Sequence, residues 1–232
     1  MKILYEDNHV IVAYKECGLL SQEDISKSDD ILTLIKSYIK DKYNKPGDVY
    51  LGLVHRLDRN TSGVMVFART SKAASRLSEQ IRSHNNFNKK YLAVVEGKMN
   101  INEEKTLTNK LLKNEDQNKS YVSNDKLAKE ASLIYKVKDC KNINGTYYSL
   151  LDITLLTGRH HQIRCQLAYI NHPIAGDVKY GARTLKMNEY NLSSYSLSFI
   201  HPTLKNIMNF KYMESYSLFK DFDEDILKKY DL

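Results

Sequence analysis

Ala131-Ser132-Leu133-Ile134-Tyr135-Lys136-Val137-Lys138 sets apolar side chains at nearly every second position, the period of a strand with one buried face. Tyr147-Tyr148-Ser149-Leu150-Leu151-Asp152-Ile153-Thr154-Leu155-Leu156 follows it with no helix between. Strands that succeed one another directly belong to an antiparallel or mixed sheet, because a parallel neighbour needs a long crossover. Working outward, the same signal marks strands at 9–14, 63–69, 89–96, 195–200 and 207–213. Helical spacing marks 29–43, with Ile31, Leu34, Ile35, Tyr38 and Ile39 on one face, 71–84, with Ala74, Leu77 and Ile81 in line, and also 160–171 and 217–230. With no regular βαβ alternation, the pattern predicts an α+β fold: a largely antiparallel, mixed sheet flanked by helices. Residues 100–130, rich in Asn, Lys, Glu and Asp, read as a weakly structured connection with one short strand at Leu107 to Leu112. Pro and Gly are scattered singly and no repeat is visible, so residues 1–232 are expected to form a single domain.

Composition narrows the class. Hydrophobic residues at 42% and charged residues at 27% exclude collagen-like and intrinsically disordered chains. No run approaches the ~18 apolar residues of a membrane span, and Glu6 and Asp7 stand where a signal peptide needs an apolar stretch, so a cytoplasmic protein without a membrane partner is expected. Cys17, Cys140 and Cys165 lack the spacing of a disulfide framework or a zinc site. The net charge of +7 is unevenly spread: residues 51–99 carry nine Lys and Arg against three Asp and Glu, with Arg56, Arg59, Arg69 and Arg76 close together. Such crowding suits a phosphate-facing surface, although charge alone fits a merely solvated basic protein as well.

Four stretches gather polar groups. In Val54-His55-Arg56-Leu57-Asp58-Arg59-Asn60-Thr61-Ser62-Gly63 a carboxylate stands between two arginines in a loop ahead of an apolar strand. It reads either as a surface turn or as an ionised nucleophile or base in a basic groove. Leu155-Leu156-Thr157-Gly158-Arg159-His160-His161-Gln162-Ile163-Arg164 ends a strand and starts a helix, and adjacent histidines at a helix start are more often hydrogen-bonded than metal-ligating. His172-Pro173-Ile174-Ala175-Gly176-Asp177-Val178-Lys179-Tyr180-Gly181 reads as an ordered turn packing against the site. Lys89-Lys90-Tyr91-Leu92-Ala93-Val94-Val95-Glu96-Gly97 is a strand with Tyr91, Ala93 and Val95 on one face.

In this order and at these separations the four stretches resemble the RluA-type pseudouridine synthases, and the resemblance runs from about residue 3 to about residue 213. It implies the pseudouridine synthase catalytic fold and isomerisation of uridine in structured ribosomal or transfer RNA, with no cofactor and no metal. The resemblance makes Asp58 the catalytic carboxylate, Tyr91 the ring against the flipped base and Arg164 the partner of Asp58. Arg56 would fill the stack that the uridine leaves, Leu192 would wall the uracil pocket, and His55, Arg59, Thr61 and Arg159 would lie on the RNA side. A base inside a stack is unreachable, so flipping it out at a few kcal/mol is part of the expected chemistry. Asp58 could attack C1′, add to C6 or take a ribose proton; all three remain open. A catalytically idle RNA-binding protein on the same fold is the alternative. The chain departs from the family pattern in Lys15-Glu16-Cys17-Gly18, which lacks a proline, in Gln166, where a His is usual, and in Leu192-Ser193-Ser194. It is expected to begin directly with the catalytic fold, without an S4-like RNA-binding domain, and to act as a monomer.

Overall fold

Lys2–Glu6 (β1), Val10–Lys15 (β2), Gly52–Leu53 (β3) and Ser62–Ala68 (β4) form the sheet of the first of two units in this computed structural model, which describes residues 1–25, 27–83, 86–183 and 190–222. The first unit holds Met1–Asn88 and Ser194–Met213, the second Lys89–Ser193 and the chain from Glu214. β2 pairs antiparallel with β1 and with β4, in a register from Val10↔Ala68 to Lys15↔Gly63. Every residue of β2 and β4 is buried, so these strands are apolar runs rather than alternating ones, as expected where both faces are covered. On one face Val10, Val12, Val64, Val66 and Ala68 pack with Ala73 and Leu77 of a helix at Ser71–Arg82. That helix starts where Thr70 accepts the Ala73 N–H at 3.1 Å. A helix at Ile31–Lys42 is capped by Asp30 in the same way and buries Ile31, Ile35 and Ile39, one residue per turn. We label these helices α1 (Ile31–Lys42) and α2 (Ser71–Arg82). Leu192–Ile200 (β10), whose residues from Ser194 onward belong to this unit, pairs antiparallel with Ile207–Lys211 (β11).

The second unit is a meander of long strands: Asn88–Glu96 (β5), Glu104–Asn114 (β6), Lys119–Val122 (β7), Lys129–Ile143 (β8) and Thr146–Leu155 (β9). They lie in the order β5-β9-β8-β6-β7, every neighbour antiparallel. β8 and β9 join at Asn144 (φ 51°) and Gly145 (φ 84°), a turn whose twist matches that of the strands. Helix α3 (Gln162–Tyr169) sets Cys165 and Ala168 against Leu111, Val122 and Ala131.

The architecture is the α+β one expected, and its elements lie close to their expected bounds. Two expectations need correction. Residues 100–130 hold the eleven-residue β6 and the four-residue β7 rather than one short strand. β6 is exposed or half-buried except at Leu111, so pairing with β8, not an apolar face of its own, makes it a strand. The helix expected over 217–230 is a 3-10 turn at Ser217–Asp221 as far as it is described; from 223 onward it lies outside the described residues.

Candidate active site

Asp58 sits at the start of a turn in which its carbonyl accepts the Thr61 N–H at 3.0 Å. The backbone of that turn is fixed from one side by residues 15–21. Ser21 Oγ donates to the Leu57 carbonyl at 2.7 Å and accepts the Leu57 N–H at 3.0 Å. The Arg59 carbonyl accepts from Lys15 Nζ at 2.9 Å and from the Gly18 N–H at 3.0 Å, while Arg59 Nε donates to the Gly18 carbonyl at 3.1 Å. Cys17 Sγ donates to the Asn60 carbonyl at 3.1 Å. A buried loop must have its peptide groups satisfied, and here this also fixes where the half-exposed Asp58 side chain starts. Lys15 is fully buried and also donates to the Leu19 and Glu16 carbonyls. Desolvation of its ammonium lowers it to about 8, against the pull of Cys17 and Asp58, which raise it. Gly63 closes the turn at the head of β4 with φ +144°, and a Cβ there would stand 2.5 Å from the Cβ and the carbonyl oxygen of Ser194.

The second unit builds a cationic site around Arg164. Its guanidinium makes a two-point ion pair with Asp177, Nε to Oδ2 at 2.6 Å and Nη2 to Oδ1 at 2.8 Å, both side chains being almost fully buried. The guanidinium carbon lies 4.5 Å from the ring centre of Tyr190 and 4.9 Å from that of Tyr180, so two aromatic faces add to its confinement. The Tyr180 hydroxyl accepts the Ser120 N–H at 2.9 Å and meets His161 Nδ1 at 3.0 Å. Burial raises its pKa, which keeps it a neutral phenol. At the strand-to-helix switch the buried Gln162 accepts from the Arg159 N–H at 3.0 Å and from Thr157 Oγ1 at 2.8 Å, and donates to the Ser132 carbonyl at 3.0 Å. This locks the turn that launches α3 and Arg164 with it. Tyr91, 5% exposed, lies on β5 opposite Ile153. Among the described residues no group of three or more His, Cys, Asp or Glu could hold a metal ion.

A family model described as RNA pseudouridylate synthase matches residues 9–169, which includes the Asp58 turn, Tyr91 and Arg164. The chain belongs to this family. It is 34% identical over 212 residues to a ribosomal large subunit pseudouridine synthase C of Buchnera aphidicola (subsp. Baizongia pistaciae), covering 88% of this chain and 64% of the relative. It is 37% identical over 204 residues to a ribosomal large subunit pseudouridine synthase D of Borreliella burgdorferi, covering 84% and 60%. The chain thus spans a little under two thirds of the length of these relatives. Among solved structures, Human RNA Pseudouridylate Synthase Domain Containing 1 shares the fold with a TM-score of 0.73 at 20% identity, covering 93% of this chain and 84% of the other. The match is of the RluA type that the four motifs suggested.

For this pseudouridylate synthase relative the motif residues separate by position. Arg56, Arg59 and Arg159 are exposed, so their charges are available to a phosphate backbone, and Arg159 Nε is anchored on the Glu130 carbonyl at 2.8 Å. His55 and Thr61, expected on the RNA side, are buried instead. His55 Nε2 accepts the Val66 N–H at 3.1 Å, where β3 has ended and offers no further acceptor, and its ring stands edge-on to Phe87. His55 is therefore a piece of the scaffold that carries the loop. Leu192 is 3% exposed, with its carbonyl accepting the Tyr216 hydroxyl at 3.2 Å. Arg164 has a partner within its own unit, Asp177, which the motif reading had only as part of an ordered turn. Lys15, Ser21 and Tyr190 were also missed. Lys15 does carry a signal, an uncompensated cation in an apolar strand.

Proposed function

We propose that the chain is an RNA pseudouridine synthase that isomerises uridine to pseudouridine in ribosomal or transfer RNA, with residues 1–232 acting as one catalytic domain in the cytoplasm. The observation that carries this reading is the Asp58 turn. A carboxylate is held between two exposed arginines on a loop whose neighbouring peptides are fixed by hydrogen bonds from residues 15–21. A pure RNA binder has no use for an anion so carefully placed among phosphate-facing cations. The uridine is flipped out of its stack and Arg56 fills the gap. Tyr91 stacks on the base, Leu192 walls the uracil pocket, and Arg164, oriented by Asp177, is the cationic member of the catalytic set. Reaction at the glycosidic bond detaches uracil and rejoins it through C5, which consumes no second substrate. The relatives are named for the large ribosomal subunit, so its RNA is the first substrate to test.

Nucleoside analysis by mass spectrometry of RNA incubated with the protein decides the matter. Wild type forms pseudouridine, and Asp58→Asn forms none while binding RNA within a few-fold of wild type, since affinity comes mainly from phosphate contacts. RNA binding without pseudouridine in wild type would make the chain an idle binder. Pseudouridine formed by Asp58→Asn would remove the carboxylate from the chemistry.

A further inference from the structure

Next to the Arg164 site in the second unit, the end of β5, the start of β9 and the end of α3 enclose a cleft of about 760 Å3 that the reading above leaves unused. Its volume suits a small ligand or one nucleotide unit. Tyr147 in its wall is 42% exposed, so its ring is open to a ligand, and Lys98 Nζ lies 5.3 Å from the centre of that ring. Arg183, exposed, adds a second cation to the lining. The Arg183 N–H is shared by both carboxylate oxygens of Glu96, at 2.9 and 3.0 Å, which fixes the backbone of Arg183 at the rim of the cleft. An aromatic platform flanked by cations is how sequence-tolerant sites hold single-stranded nucleic acid, the ring stacking on a base and the cations meeting phosphates.

The position of the cleft says which RNA it would hold. Ala168 and Tyr180 line it. Ala168 lies one helical turn beyond Arg164 on the same face of α3, about 6 Å along the axis. Tyr180 is the shared wall, since its ring also covers the Arg164 guanidinium. We propose that this cleft receives an unpaired nucleotide that flanks the uridine to be modified, its base on Tyr147 and its phosphates on Lys98 and Arg183. The proposal rests on the RNA-modifying reading above and adds to it a subsite that senses one flank of the target.

The test measures affinity by fluorescence anisotropy for an unstructured oligoribonucleotide with one central uridine, and for versions shortened from either end. Wild type should lose affinity when one particular flank is removed. Tyr147→Ala should bind the full oligonucleotide roughly five- to a hundredfold more weakly, the range for one stacked base, and should no longer respond to removal of that flank. Tyr147→Phe should restore both, and Lys98→Gln should lower the salt slope by about 0.7 for the lost phosphate contact. Tyr147 and Lys98 are exposed, so unfolding curves of all three variants should match wild type. The cleft proposal is overturned if Tyr147→Ala binds the full oligonucleotide as wild type does and still senses the flank. Wild type that binds no RNA at all would overturn the functional reading together with it, so the two failures are distinguishable.

Discussion

Asp177→Asn removes one charge of a buried pair without changing its volume. In the native protein both Asp177 oxygens accept from Arg164, at 2.6 and 2.8 Å, with the side chains 1% and 7% exposed. An asparagine keeps one acceptor and turns an NH2 group, itself a donor, toward the guanidinium. Losing one partner of such a buried pair costs about 3–5 kcal/mol, because the remaining charge loses its two-point counter-ion without regaining water. The rings of Tyr180 and Tyr190 still face the guanidinium and retain part of its stabilisation, about 0.5–2 kcal/mol. The net loss should therefore fall near the lower limit, about 3 kcal/mol. At about 2–4 °C per kcal/mol for a chain of this length, Tm should drop by about 6–12 °C. Urea and thermal unfolding read both numbers. The sharper arm is the double variant Asp177→Asn with Arg164→Met, in which both charges of the pair are gone. It should be more stable than the sum of the two single losses implies, by at least about 1 kcal/mol. A single variant within about 0.5 kcal/mol of wild type, or strictly additive losses, would refute the view that Asp177 holds Arg164.

Two further outcomes test the Asp58 turn. Gly63→Ala should cost more than about 2 kcal/mol in urea unfolding, since its Cβ would meet the Ser194 Cβ and backbone at 2.5–2.7 Å at a φ that only glycine adopts freely. Adding Ser194→Gly should recover only part of that loss, because two of the three contacts are to backbone, and wild-type stability in Gly63→Ala would contradict the close approach. Burial lowers Lys15 from 10.5 to about 8, so between about pH 8 and 10.5 the unfolded chain binds the extra proton and stability should rise with pH across that window. The difference in stability between wild type and Lys15→Met, followed by urea unfolding at stepped pH, should carry that rise; a flat difference would mean that Lys15 titrates normally.

The strands and helices that bury their own apolar residues were legible from local pattern, as in β2, β4, α2 and the β8–β9 pair. The chemistry-bearing loops were legible because they interrupt those patterns. Partners were not. Whether a histidine in a loop faces RNA or caps an unpaired strand N–H depends on where a neighbouring strand ends, and for His55 that strand is only two residues long. In the same way Arg164 and Asp177 are thirteen positions apart with an αL residue, His161, ahead of the helix and a glycine-bounded turn behind it. No periodicity links them, and only the packed turn brings the carboxylate to the guanidinium.

Gln166 shows how one missed element hides another. The family pattern has a histidine there, and on a fully buried stretch of α3 a change to glutamine looks like an isolated departure. Its Nε2 donates to the Asn109 side chain at 2.8 Å, to the Ala131 carbonyl at 3.1 Å and to the Leu107 carbonyl at 3.2 Å. Two of these acceptors lie on β6, the polar strand whose own sequence shows little sign of burial. A flat amide with two N–H donors can serve acceptors on neighbouring strands at once, which an imidazole nitrogen with a single hydrogen does less well. The departure is therefore intelligible only once β6 is in place, and the acceptors of β6 in turn give the buried helix that carries Arg164 a fixed seat.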